Sequence, residues 1–194
     1  MRGISIVVEG KTDVPVVKRV LSLAGHAYGR VHVMGGKHTL NRSLPAYNAA
    51  ARRSFWLVLR DLDHDARCAP ELRERLLPEP APRMAFRIAV REMEAWLLGD
   101  RERLAEFLGV RLRTVPLDPE CLDSPKDAVV SLAMASRRVA LRDDIVPPLD
   151  STARVGRGYA ARVIEFAIYH WRPEVASERC DSLRRCLDAL RHWR

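Results

Sequence analysis

The sequence predicts an α/β fold: a three-layer sandwich with a central, mostly parallel, four-stranded sheet and a helical C-terminal extension. Two observations predict it. Four short apolar runs alternate with stretches of helical periodicity over roughly the first hundred residues. That β-α-β-α-β-α-β-α order implies parallel strands joined by right-handed crossovers. A third observation bears on function: acidic residues follow three of the four runs, where a parallel sheet gathers its strand ends along one edge.

The first strand covers residues 3–8, in Ile4-Ser5-Ile6-Val7-Val8. Residues 13–24 read as a helix with Val16, Val17, Val20 and Leu21 on one face. A second strand is expected over 30–34. Gly35-Gly36-Lys37-His38 then makes a flexible turn before a helix over 40–52, in which Pro45 threatens a kink. The third strand is 55–60. A short helix over 70–77 stops at the stiff connector Pro78-Glu79-Pro80-Ala81-Pro82. The fourth strand, 84–90, leads into the strongest helix, 92–108, with Met93, Leu97, Leu104 and Leu108 inward.

Strand signals stop after Gly109. Ser124-Pro125-Lys126-Asp127 combines a Ser cap, Pro at the first helical position and an acid at the third, so it starts a helix that runs to about residue 138. Residues 142–158 read as a polar loop rich in Pro and Gly; 159–171 and 181–193 read as helices. The expected organisation is a core over residues 1–110 and an extension over 111–194 packed on it as one compact unit.

At 194 residues and 47% hydrophobic content the chain can bury a real core. No apolar run approaches the roughly 18–20 residues that span a bilayer, and the N-terminus enters a strand without a leader-like segment. A soluble, cytoplasmic protein is expected. Cys68, Cys121, Cys180 and Cys186 show no Cys-x-x-Cys spacing and are expected to be free and reduced. The net charge of +8 and pI of about 9.8 favour an anionic partner, nucleic acid first. Among the 33 basic residues only Lys11, Lys18, Lys37 and Lys126 are lysines. Lys11 and Lys37 fall in loops near strand ends, where a compact point charge suits a phosphate. Lys126 with Arg154 and Arg157 is a further possible phosphate clamp. The tail arginines Arg179, Arg184, Arg185, Arg191 and Arg194 read either as a nucleic-acid contact or as a solvated helix face.

The acidic constellations carry the chemistry. Glu9-Gly10-Lys11 closes the first strand; Gly10 lets the backbone approach a ligand, and Asp13 can cap the next helix, whose N–H groups favour phosphate. It reads equally as an ordinary strand-to-helix turn. Asp61-Leu62-Asp63 is sharper: alternate residues of an extended segment face one way, so both carboxylates reach one cation, and Asp65 continues the alternation. An Asp-rich turn is the plainer alternative. Glu92 and Glu94 open a helix, where acids are expected in any case, with Glu94 the better candidate for a site. His64 is either a proton shuttle or an exposed turn residue. Carboxylates gathered at one edge repel unless a cation sits among them, and hard oxygen donors suit Mg²⁺ or Mn²⁺.

With these residues in view, the chain resembles the Toprim family, the domain shared by topoisomerases, DnaG-type primases and OLD-type nucleases. Val7-Val8-Glu9-Gly10-Lys11-Thr12-Asp13 matches its first motif and Asp61-Leu62-Asp63 its second. More narrowly, Glu94-Ala95-Trp96-Leu97-Leu98 together with these segments is similar to the Toprim-like group called domain of unknown function 4276. The resemblance implies a Toprim-like, Rossmann-like sheet in which Asp61 and Asp63 bind Mg²⁺ or Mn²⁺. It also implies that Glu9 binds metal or acts as general acid or base, and that Glu94 completes the acidic set. No topoisomerase-type Tyr, primase module or ATPase segment stands out, so hydrolysis of DNA or RNA is expected over strand joining or primer synthesis. A setting in phage or mobile-element defence follows from the same resemblance, with an ATPase as a possible protein partner. A non-catalytic module that holds a partner or nucleic acid is the alternative. A haloacid-dehalogenase-type phosphatase ranks last, because its Asp motif should follow the first core strand.

Overall fold

A computed structural model describes residues 3–193; Arg194, one of the tail arginines, lies outside the described residues. The chain divides into two compact units. One holds the described residues up to Val90 together with those from Ser182 onward; the other is Arg91–Asp181.

The first unit is α/β. Its elements run β1 (Ile4–Val8), α1 (Asp13–Leu23), β2 (Tyr28–Val33), α2 (Lys37–Ala50), β3 (Trp56–Asp61), α3 (Ala69–Leu76) and β4 (Met84–Ala89). The strands form one four-stranded sheet in the order β2-β1-β3-β4, and every pairing is parallel. The chain steps outward from β1 to β2 and then back across β1 to β3. Right-handed connections therefore put α1 and α2 on opposite faces. On one face, Leu40 and Leu44 of α2 and Leu72 of α3 pack with Val7, Val58, Phe86 and Ile88. From α1, Val16, Val17, Val20 and Leu21 are buried. The C-terminal helix, Asp181–Arg191, returns to this unit: the His26 ring donates from Nε2 to the Leu190 carbonyl at 2.7 Å, and the rings of Phe55 and Trp193 lie 5.1 Å apart. Sheet and flanking helices make the expected Rossmann-like sandwich.

Two local differences from the expected elements have clear causes. β2 begins at Tyr28, earlier than expected, because Gly3 permits close approach: a Cβ there would lie 2.6 Å from the Tyr28 carbonyl oxygen. α2 begins at Lys37 because Gly35 and Gly36, with φ of 72° and 127°, complete the chain reversal that only glycine adopts without strain. Pro45 does not interrupt it; the helix runs through all 14 residues.

The second unit is helical: α4 (Glu94–Gly99), α5 (Arg101–Leu108), α6 (Pro125–Met134), α7 (Val139–Ile145), α8 (Tyr159–Tyr169) and α9 (Pro173–Ala176). The C-terminal helix, α10 in chain order, is the one described above. Every residue of α4 is buried. Trp171 donates its indole N–H to the Trp96 carbonyl at 3.0 Å. A Cβ on Gly99 would sit 2.7 Å from Cys180 Sγ and 2.9 Å from the Ala176 carbonyl oxygen, so only glycine fits there.

The single helix expected over 92–108 is in fact two. Asp100, wholly buried, breaks it with φ −88° and ψ 69°. Its Oδ2 accepts from N and Nε of Arg172 at 2.8 and 3.0 Å, and its Oδ1 from Nη2 at 2.6 Å. A buried carboxylate needs such partners, and turning the chain here presents it to them. α6 starts as expected, with Ser124 Oγ accepting from Asp127 N at 3.2 Å, but stops at Met134 rather than near 138. Beyond it Ser136, buried, donates its hydroxyl to the Leu108 carbonyl and accepts from Arg138 N. Part of the expected 142–158 loop is helix α7, which buries Leu141 and Ile145 on one stripe.

No helix among the described residues is long and apolar enough to cross a membrane. All four cysteines are free; Cys68 and Cys121 are exposed, Cys180 and Cys186 buried.

Candidate functional sites: an acidic sheet edge and a buried glutamate pair

β1 and β3 are neighbours whose connections leave in opposite directions, which makes their carboxyl ends the switch point of the sheet, the usual ligand crevice of an open α/β fold. Val7 lies opposite Val58 in the ladder. Glu9 and the segment from Arg60 to Asp63 therefore emerge side by side. The Glu9 carboxylate accepts from the Asp61 backbone N–H at 3.0 Å. The structure thus brings Glu9 to the Asp61-Leu62-Asp63 segment.

Asp61 and Asp63 do not meet by strand alternation. β3 ends at Asp61. Leu62 turns into the core, Asp65 N bonds the Leu62 carbonyl, and Asp63 sits in the left-handed region with φ 48°. The extended segment gives way because Leu62 is apolar and is drawn into the core that α2 and α3 share with the sheet. Cations then gather the acids. Arg60, at 1% side-chain exposure, spreads its guanidinium beneath them. Nε lies 3.7 Å from Glu9 Oε1 and donates to Asn41 Oδ1 at 3.4 Å. Nη1 donates to the Asp61 carbonyl and lies 3.7 Å from Asp63 Oδ2, while Nη2 bonds Asp65. Lys37, at the first turn of α2, donates to Asp63 Oδ2 at 2.9 Å and Asp65 Oδ1 at 3.0 Å. Lys37 is thus engaged with carboxylates, and Lys11 is exposed in the turn after β1. Asp13, the first residue of α1, accepts from Gly10 N at 2.8 Å, so a carboxylate already faces that helix start.

The electrostatics follow from burial and partners. Burial pushes the Glu9 carboxyl above the ordinary range, against the opposing pull of the Asp61 N–H and Arg60. Burial acts on Asp65 in the same direction, but the bonds from Arg60 and Lys37 outweigh it and hold that carboxyl low. Burial alone would lower Lys37; Asp63 and Asp65 outweigh it and raise the ammonium.

Glu92 and Glu94 lie in the second unit, and they have partners within it. Glu94, buried, accepts from the Tyr159 hydroxyl at 2.9 Å and lies 3.5 Å from Lys126 Nζ. Glu92 accepts from the backbone N–H of Lys126 at 2.7 Å, at the start of α6, where the helix dipole favours an anion. Arg154 lies 3.5 Å from Glu92 and bonds Asp127 at 2.8 Å. Burial raises the Glu92 carboxyl, and Glu94 adds to the shift, while the Lys126 N–H, its ammonium and Arg154 oppose it. Burial and the neighbouring Glu94 carboxylate likewise push the Tyr159 hydroxyl far up, so it stays a donor. Arg157 is exposed on the loop before α8.

Arg60 is the functional side chain that sequence reasoning missed. The signal was present: an arginine between the apolar run Leu57-Val58-Leu59 and an acidic pair lies in a strand buried along most of its length. A charge there needs partners, and the nearest acids are the obvious ones. Among the described residues no three His, Cys, Asp or Glu side chains form a ready ion cage.

By fold and site this is a Rossmann-like parallel α/β unit with a charged switch-point crevice, accompanied by a helical unit. No family model, curated protein or solved structure matches the chain.

Proposed function

We propose that the chain is a Toprim-like, metal-dependent nuclease or related phosphodiester hydrolase, acting on DNA or RNA and serving phage or mobile-element defence. The observation that carries this reading is the bond between Glu9 and Asp61 N at the carboxyl ends of adjacent parallel strands, at 3.0 Å. The donor set supports it as well. Glu9, Asp61, Asp63 and Asp65 are hard oxygen donors of the type Mg²⁺ or Mn²⁺ takes. Arg60 and Lys37 pair with Glu9, Asp63 and Asp65 of this set.

Glu9, Asp61 and Asp63 would hold the ion. When bound, it supplies Lewis-acid polarisation of a phosphodiester and a water acidified enough to attack at neutral pH. The chain's own residues do the rest. Where it does not hold the ion, Glu9, with its raised carboxyl, would serve as general acid or base. Arg60 fixes the carboxylates before substrate arrives, which lowers the reorganisation needed during reaction. Lys11, exposed in the turn that follows Glu9, would meet the phosphate backbone. Lys126 and Arg157 are further candidate backbone contacts, within the second unit.

The test is cleavage of single- and double-stranded DNA and RNA with Mn²⁺ or Mg²⁺. Asp61→Asn with Asp63→Asn should lower the rate by at least about a hundredfold, the scale of losing key electrostatic stabilisation. Unchanged cleavage by this variant refutes the reading.

A second reading is favoured by Arg60 itself. An acidic cluster already neutralised in part by a buried guanidinium also suits a non-catalytic module that holds nucleic acid or a protein such as an ATPase. Absence of cleavage by the wild type, with partner capture intact in the double variant, supports that reading.

A further inference from the structure

We infer that Arg87 and Arg73 together bind a phosphate group on the β4 side of the α/β unit. The site uses none of the acidic residues described above, and it stands whether or not they hold an ion.

β4 is an outer strand of the sheet. Its Met84, Phe86 and Ile88 belong to the core shared with α2 and α3. Strand alternation therefore puts Arg87 on the opposite face. Cys186 of α10 and Arg73 of α3 are both close enough for their charges to act on it, and all three residues belong to the α/β unit. Burial and the like charge of Arg73 hold the Arg87 guanidinium below the usual arginine range, against the pull of Cys186. That pull is absent at neutral pH, because burial pushes the Cys186 thiol up to about 12 and leaves it uncharged.

No carboxylate compensates. Among the described residues, the side chains of Arg87 and Arg73 make no hydrogen bond or ion pair. Arg87 Nε is sealed from solvent without a partner. Nη1 and Nη2 make no bond either, but only Nε is sealed off, so both reach the surface of this partly exposed residue. A snorkelling arginine, with its stem buried and its head in water, accounts for the exposed Arg73. It does not account for Arg87, whose unpaired N–H lies below the surface, where such a group is costly. What the pair lacks is negative charge, and the Nη nitrogens offer access to it. A phosphate fits both needs. Its oxygens accept parallel N–H bonds from one planar guanidinium. Its remaining charge, close to two units in all for a monoester, meets the second arginine.

The experiment is ¹H–¹⁵N NMR of the full chain titrated with inorganic phosphate, against sodium chloride at matched ionic strength. Arg87→Lys is used only to assign the Arg87 Nε–H signal. That signal and the Arg87 backbone amide should shift saturably with phosphate and not with chloride. Arg73→Gln, a change at an exposed position, should weaken the phosphate affinity by about tenfold, the scale of one charge-assisted bond. Backbone amides elsewhere in that variant report that the fold is kept. A second titration, with an oligothymidylate lacking terminal phosphates, separates the sources. A saturable response to it assigns the phosphate to a nucleic-acid backbone, and a response to inorganic phosphate alone assigns it to a small phosphate compound. No saturable shift with either, or an affinity unchanged in Arg73→Gln, overturns the inference.

Discussion

The Glu9 carboxylate accepts a hydrogen bond from the backbone N–H of Asp61 at 3.0 Å, across 52 residues of chain. β1 and β3 are hydrogen-bonded neighbours, so this side-chain bond continues their ladder one step past its backbone end. A carboxylate used in this way is held by the sheet rather than by a loop. It keeps its place whatever its protonation state, because either form retains an oxygen that can accept.

The pH dependence of stability should report on Glu9. Burial raises its folded pKa above the ordinary 4.5. Between that value and the raised one, the native state keeps a proton that the unfolded chain has lost, so stability falls as pH rises through this window. Glu9→Gln removes the group while keeping an acceptor for Asp61. Urea midpoints measured from about pH 4 to 8 should therefore show the wild type losing stability relative to the variant as pH rises. Glu92, which is also raised, is common to both proteins and cancels. Parallel curves would show that burial does not perturb Glu9.

Asp100→Ala should destabilise the second unit by about 3 kcal/mol in urea unfolding, near the lower end for a broken buried pair. The lower end applies because the Arg172 side chain is 34% exposed and regains some hydration. Asp100→Asn should lose less, since its amide oxygen still accepts from Arg172 N. A loss below about 1 kcal/mol for the alanine variant would mean that the turn after α4 is set by Gly99 packing instead.

Thiol labelling of the native protein should be fast at Cys68 and Cys121, which are exposed, and absent at Cys180 and Cys186 until the chain unfolds. Burial pushes the Cys186 thiol up to about 12 and Cys180 higher still, which removes the reactive thiolate at neutral pH. Mass spectrometry of the labelled peptides decides this, and native labelling of Cys186 would contradict its burial.

Much of the α/β unit was legible because its strands are continuous apolar runs bounded by turn residues, and its helices keep a regular stripe. The acids at Glu9 and Asp61 were legible for the same reason: strand ends are readable, and parallel topology sends them to one edge. The helical half was harder. The break at Asp100 lies inside an unbroken apolar periodicity, and its cause, Arg172, is 72 residues away. Helix α7 was hidden by the Pro- and Gly-rich stretch that follows it. Alternation, being local, predicts an extended Asp63, whereas Leu62 answers to a core assembled from distant helices.

The sequence by itself determined the sheet, its parallel sense and the edge on which the carboxylates gather, since these follow from apolar period, connection length and handedness. Only the tertiary structure decided which cations meet those carboxylates. Arg60 is carried inward by its own strand, β3, while Lys37 arrives from the preceding helix, α2. Ion pairing depends on distance in space, and for Lys37, 26 and 28 residues from Asp63 and Asp65, no pattern of neighbours along the chain encodes it.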